Sequence, residues 1–253
     1  MGRPGASGIL LTEMTKMKTS HMLRVLALLF GASFLLLADD GAMRKVQVTH
    51  TERADFPSGG RLQLKNSIGE LMVEGWDRPD VEITTIKSTK TAVASGDREK
   101  ASRELDKVRI SVAPQAGDLV VTTDFPRHRS LLPTWRRLPD NDFDLEYRIK
   151  VPMNAKLSVD HVRGEVHVYN LTSDIRATDC NGLITLELPP DGSYDIDAKS
   201  KLGDVISDFA GHKERTRLFG HRFIQGKPAP HKLYLRIGFG DIIIFEGWKP
   251  ASQ

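Results

Sequence analysis

Two histidines and two acids fall within the fourteen residues "LSVDHVRGEVHVYN", Leu157 to Asn170. Asp160, His161, Glu165 and His167 carry the imidazole nitrogens and carboxylate oxygens that zinc-type ions bind. The same four residues are interleaved with Leu157, Val159, Val166 and Val168. That alternation is the pattern of a β-strand with one apolar and one solvated face. A metal site would need further ligands nearby, whereas a strand face would need sister strands to pack against.

Further ligands do not occur at useful spacing. His128, His212, His221 and His231 fall in scattered segments read as loops, without i, i+4 or HExxH spacing. Cys180 is the single cysteine, so no CxxC knuckle and no intramolecular disulfide can form. It is expected to be a plain buried thiol, with an intermolecular bridge as the alternative. GxSxG, SxxK, Walker and HExxH patterns are absent from the sequence. "GFGD" (Gly238 to Asp241) lies between two expected strands, so it has no helix N-terminus to hold a phosphate. The expectation is therefore no catalytic, cofactor-binding or metal residues, and no cofactor. Carboxylates are plentiful, and the enzymatic alternative is a polysaccharide lyase or hydrolase built on a β-helix.

Sister strands do occur. An aliphatic residue is followed two positions later by another small or aliphatic one, and seven positions after the first comes a glycine. Aliphatic residues usually stand two and four positions beyond the glycine. The copies are "LQLKNSIGELMV" from Leu62, "LSVDHVRGEVHV" from Leu157, "IRATDCNGLITL" from Ile175, "IDAKSKLGDVIS" from Ile196 and "LYLRIGFGDIII" from Leu233. Their glycines are Gly69, Gly164, Gly182, Gly203 and Gly240. The fourth copy is imperfect, with Ser207 in an aliphatic slot. Each copy reads as two short strands around a polar turn that glycine allows to be tight. A single unit cannot bury its apolar face, so stacking is implied, the logic of a β-solenoid or β-roll. In that frame His161 falls in the turn and His167 on the wet face.

The rest fits around the stack. "DVEITTIKST" (Asp80 to Thr89) and "LEYRIKVP" (Leu145 to Pro152) read as strands, and "VRISV" with "DLVVTT" as a hairpin. The stretch from Asp97 to Val108 reads as one short helix, capped by Ser95 or Asp97, with Ala101, Leu105 and Val108 on one face. A loop from Phe125 to Phe143 holds three prolines.

Two features of this frame could bind something. The residue after the repeat glycine is acidic in four of the five copies: Glu70, Glu165, Asp204 and Asp241. Stacked in register, these would form an acidic ladder that a divalent cation or a basic partner could relieve. The proline-bounded loop gathers Arg127, His128, Arg129, Trp135, Arg136 and Arg137, a combination suited to anionic polymers or lipids.

The first 38 residues read as a targeting segment. Arg24 precedes the thirteen-residue apolar run Val25 to Leu37, the length of a signal-peptide core and short for a membrane span. Ala38 is a candidate cleavage position, and an uncleaved N-terminal anchor is the alternative. Met14, Met17 and Met22 are candidate starts. Arg3, Lys16, Lys18 and Arg24 against Glu13 place the whole formal charge of +3 in this segment, and residues 39–253 are neutral. The sequence pI of 8.9 is thus no sign of nucleic-acid binding.

The passages "LKNSIGELMVEGWDRPDVEI" and "LEYRIKVPMNAKLSVDHVRGEVHV", with the closing "LYLRIGFGDIII", together resemble the putative adhesin family of bacterial exported proteins, a head GIN domain-like family of unknown function. The resemblance covers roughly residues 45 to 247. It implies an extracytoplasmic β-solenoid and no established catalytic residues. The expectation is an all-β single domain over residues 39–253 with one short helix, acting as a non-catalytic adhesin, binding or scaffold module in the periplasm or cell envelope. Its partner would be an envelope polysaccharide, lipid or protein, with no nucleic acid and with membrane contact only through an uncleaved N-terminus. "GDIIIFEGW" is apolar on both strand faces, so the closing rung is expected either to be capped by the chain or to self-associate.

Overall fold

The structure, a computed structural model, describes residues 43–125, 143–190, 192–217, 219–226 and 228–247. The basic loop residues Arg127, Arg129, Trp135, Arg136 and Arg137, His128, and the targeting segment lie outside the described residues. The chain divides into two units, Met1–Arg44 with Ala94–Gly96, and Lys45–Val93 with Asp97–Gln253. Among the described residues, the strands lie in the second unit, which is all-β apart from one short helix.

Its elements are β1 (Gln47–Asp55), β2 (Arg61–Trp76), β3 (Asp80–Thr89), α1 (Arg98–Asp106), β4 (Arg109–Gln115), β5 (Asp118–Asp124) and β6 (Phe143–Pro152). They continue with β7 (Lys156–Tyr169), β8 (Ile175–Leu188), β9 (Tyr194–Leu202), β10 (Val205–Ser207), β11 (His212–Arg215), β12 (His221–Ile224) and β13 (His231–Glu246). The helix buries Leu105 and is followed by buried Val108. Its N-cap, Asp97, makes no side-chain capping bond.

The long strands β2, β7, β8 and β13 each consist of two arms that meet at a repeat glycine. In β2, Leu62 and Leu64 before Gly69 and Leu71 and Val73 after it are all buried. Leu64 and Leu71 are an odd number of residues apart, so the inward phase of the strand shifts at the glycine. Asn66 and Gly69, both at positive φ (57° and 87°), take up that shift. The first arms run parallel in the order β5–β2–β7–β8–β13–β9, and the second in the order β6–β2–β7–β8–β13–β10. Antiparallel strands flank this parallel centre: β4 on β5, β3 on β6, β1 on β3, β12 on β9 and β11 on β12. The result is one large mixed sheet, open rather than closed. Leu62, Leu157, Ile175, Leu233 and Ile196 form one buried row across it, and Leu71, Val166, Ile184, Ile242 and Val205 another.

The five glycines stand in one column. A Cβ placed on Gly164 would overlap the carbonyl oxygen of Gly69, and the same relation links Gly182 to Gly164, Gly240 to Gly182, and Gly203 to Gly240. Gly69 itself faces the carbonyl of Leu145 in β6. All five have positive φ, between 87° and 154°. Both close approach and conformation therefore demand glycine at this corner.

Two expectations need correction. The closing rung is not at an end, because β13 lies between β8 and β9 in its first arm and between β8 and β10 in its second. Its self-association as a bare last rung therefore loses its structural basis, since chain backbone pairs on both sides. An apolar run such as Ile242–Phe245 suits an interior parallel strand, while β9 and three-residue β10 make a shorter, broken rung fit for a margin. Second, His212 and His221 open strands β11 and β12, and His231 opens β13, instead of lying in loops. All four residues of β11 are exposed, so no alternation marked it.

Candidate binding faces of the strand stack

The repeat corner has a polar interior. In register across the first arms stand Ser67, His161, Asp179, Ile237 and Ser200, all buried. His161 is thus not on the wet side: it is 3% exposed. Its Nδ1 is 2.8 Å from Ser67 Oγ and its Nε2 is 3.2 Å from the Gly69 carbonyl oxygen. The carbonyl can only accept, so Nε2 carries the proton and Ser67 donates to Nδ1. Burial pushes the His161 pKa down to about 4. Asp179 is also buried, which raises its pKa to about 6 against the opposing Asn181 and Cys180 N–H groups. Its Oδ1 accepts from Asn181 N–H at 3.2 Å, while Oδ2 is buried without a partner.

Serine, histidine and aspartate side by side have the composition of a hydrolytic triad but not its geometry. Catalysis needs the carboxylate on one imidazole nitrogen and an accessible serine on the other. Here the second nitrogen goes to a carbonyl, and Ser67 is 1% exposed. The cluster pairs Ser67, both His161 nitrogens and Asp179 Oδ1 at the corner and leaves Asp179 Oδ2 unpaired.

The outer face of the second arms carries the acids. Glu146, Glu70 and Glu165 are register neighbours on β6, β2 and β7. Next come Leu183 on β8 and Asp241 on β13. The acidic ladder is thus corrected to two groups separated by a leucine, one of which includes Glu146, which the glycine rule could not find because β6 has no repeat glycine. Glu146 pairs with Arg148, and Glu165 lies 3.0 Å from His167 Nε2. His167 also stacks on Tyr169. In the other group, Asp204 N–H donates to Asp241 Oδ1 at 2.6 Å. Burial opposes ionisation of Asp204, but Lys213, the Val205 N–H and His221 outweigh it and hold the carboxyl below its ordinary range. Among the described residues, no three His, Cys, Asp or Glu side chains gather where they could hold a metal ion.

The outer face of the first arms carries a network that sequence reasoning missed. Tyr234 on β13 lies between Arg176 on β8 and Asp197 on β9. The Arg176 and Arg236 guanidinium carbons stand 4.6 and 3.8 Å from the Tyr234 ring centroid. Asp197 accepts from Arg222 at 2.9 and 3.1 Å and from Arg236 Nη2 at 2.6 Å. Burial alone would raise its pKa, and the two arginines more than reverse that, leaving it below the usual carboxylate range. The available signal was the i, i+2 placement of Asp197, Lys199 and Lys201, and of Tyr234 and Arg236, in the outward slots of two repeat copies.

Cys180 is exposed, which corrects the expectation of a buried thiol. Asp179 points inward, so the next residue of the strand points out. Beside Cys180 lies a groove of about 590 Å³, lined by Thr178, Asp179, Lys199, Lys201, Arg236 and Phe239 among others.

No protein-family profile matches the chain, and no curated protein does. Among solved structures, the chain is similar to a putative cell adhesion protein from Clostridium sporogenes, at 14% identity and a TM-score of 0.47, over 79% of this chain and 99% of that one. It is also similar to a putative adhesin from Parabacteroides merdae, at 11% identity and a TM-score of 0.27, over 79% and 81% of the two chains. Among the described residues no helix is long and apolar enough to cross a membrane.

Proposed function

We propose that the chain is a non-catalytic, exported binding module of the cell envelope, of adhesin or scaffold type, built as a β-solenoid. The observation that carries this reading is the register of the glycine column. It aligns equivalent outward slots of successive rungs into rows with a spacing of about 4.8 Å, giving long faces of repeated charged and aromatic side chains. The acids bear on the choice against a β-helix lyase or hydrolase. Glu146, Glu70 and Glu165 project side by side from one sheet face, whereas glycoside hydrolysis uses two carboxylates on opposite sides of a bound sugar. The apolar run Val25 to Leu37 supports export, and the resemblance of the repeat passages to exported adhesin-like domains agrees with it.

The test is fractionation of a bacterial host expressing the full chain, followed by co-sedimentation of the released protein with isolated envelopes. The expected result is recovery outside the cytoplasm and sedimentation that falls when Arg176→Ala and Tyr234→Ala are introduced together, with an unchanged melting temperature. Recovery in the cytoplasm with no sedimentation would overturn the reading.

A further inference from the structure

An open sheet has margins, and their backbone groups are free to pair with another chain. Among the described residues the margins are β4 and β11 for the first arms and β1 and β10 for the second. Three of them are blunted. β10 has three residues, β11 has four, and β4 carries Pro114, which has no N–H to give. β1 is the exception. It runs for nine residues without proline, and its register with β3 is unbroken from Gln47 to Asp55.

The hydrogen bonds show which groups of β1 are free. Thr89 N–H donates to the Val46 carbonyl at 2.9 Å, so Val46 turns its backbone towards β3. In an antiparallel pair every second residue does the same. Val48, His50, Glu52 and Ala54 therefore face β3, and Gln47, Thr49, Thr51, Arg53 and Asp55 turn their N–H and C=O groups the other way. No strand among the described residues pairs on that side. α1 packs near β1, yet these five residues are all exposed. The strand is also held flat from its outer face. The Thr51 hydroxyl lies 2.9 Å from that of Thr84, and Arg53 Nε donates to Glu82 at 2.8 Å.

The sequence of β1 is complementary to itself when reversed. With a twofold axis at Thr51, its midpoint, Thr51 meets Thr51 and Thr49 meets Arg53. Gln47 then meets Asp55, an amide against a carboxylate. Between these hydrogen-bonded pairs, His50 meets Glu52 twice, at the positions where facing side chains come closest. Other axes fit worse. An axis at Glu52 or Arg53 sets like charges opposite each other, one at Thr49 brings Lys45 to Arg53, and one at His50 sets two imidazoles face to face.

We infer that β1 is an interface for a second copy of this chain, which pairs antiparallel with it about a twofold axis at Thr51. The junction is roughly 30 Å long. It joins the sheets of two copies into one, and each copy keeps its own outward rows. The same patch on both subunits is what a twofold dimer requires.

The test is sedimentation velocity of the full chain over rising concentration, with disulfide cross-linking in a Cys180→Ser background, where the introduced thiol is the only one. A reversible dimer is expected. Thr51→Cys should cross-link to its copy, because hydrogen-bonded partners have Cα atoms about 5.5 Å apart, within disulfide reach. Gln47→Cys should not, because the axis leaves its two copies about 27 Å apart. A mixture of Gln47→Cys and Asp55→Cys chains should cross-link to each other. Glu52→Lys should raise the dimer dissociation constant about tenfold, and adding His50→Glu to it should restore the dimer. Thr51→Pro removes a donor from the free side alone, so the dimer should be lost while the melt stays cooperative.

A chain that stays monomeric at every concentration would overturn the inference. So would cross-linking of Gln47→Cys as efficient as that of Thr51→Cys. Association that survives both Glu52→Lys and Thr51→Pro would assign it to another surface, such as the apolar run Val25 to Leu37, and overturn it equally. A loss of dimer in Glu52→Lys that His50→Glu does not restore would overturn the register.

Discussion

At the residue scale, the buried corner sets two titrations against each other. His161 has a folded pKa near 4, below the ordinary 6.5. The unfolded chain binds its proton first, so this group lowers stability as pH falls from 6.5 towards 4. Asp179 has a folded pKa near 6, above the ordinary 3.8. Its contribution is full below 3.8 and is lost as pH rises through 6. Each effect is on the order of 3 kcal/mol across its window, and between pH 4 and 6 they largely cancel. Asp179→Asn removes one of them while keeping an oxygen for the Asn181 N–H. The variant should be more stable than the parent at pH 8, by about 1–3 kcal/mol because an unpaired amide remains. That advantage should vanish near pH 4, leaving the histidine slope exposed. Urea titrations at pH 4, 6 and 8 would read this, and an advantage that is absent at pH 8 or unchanged at pH 4 would refute the account.

At the element scale, the corner glycine is the unit of construction. Gly164 has φ 130°, and a methyl group there would overlap the Gly69 carbonyl. Backbone cannot swing aside as a side chain can, so two rungs must separate for one methyl group. Gly164→Ala should cost about 3 kcal/mol or more, summing left-handed strain and overpacking. Thermal unfolding would measure it, and a loss of less than about 1 kcal/mol would show that the rungs have slack. The sequence carried the inward slots well, because a glycine at fixed distance from paired aliphatics marks them, but the turn read at the glycine is a corner inside the unbroken strands β2, β7, β8 and β13, and only the Gly203 copy is split in two. It carried the corner contents poorly. His161 and Asp179 continue the inward alternation of Leu157 and Val159, and of Ile175 and Ala177, but their polar side chains read as turn residues, and no apolar residue follows two positions on to extend the period. The marginal strands β1, β11 and β12 were hidden for a related reason: they are short of apolar side chains at period two, so no period records them.

At the scale of the whole molecule, the order of rungs departs from the order of the chain. Local spacing defines a rung without saying which rung lies beside it, so the place of β13 was not legible from the repeat. A solenoid whose last rung is its end tolerates truncation there, because each repeat touches only its neighbours. Here the last strand fills the gap between β8 and β9, and between β8 and β10. Buried Leu233, Leu235, Ile237, Ile242 and Ile244 on β13 complete rows shared with both sides. Ending the chain at residue 230 would therefore expose the edges of β8 and β9 and open the core, instead of trimming a terminal repeat. Interior pairing also defers closure of this region until the final residues are available, a long-range contact of the kind that slows folding. The truncated chain should lack the cooperative melt of the full one and expose apolar surface, read as increased binding of a hydrophobic dye. A matched truncation of β11 and β12 by internal deletion should be milder, since these strands lie at one margin of the sheet. An unchanged cooperative transition in the chain ending at 230 would show that β13 is an ornament on a finished stack, and would return the molecule to a sequential solenoid.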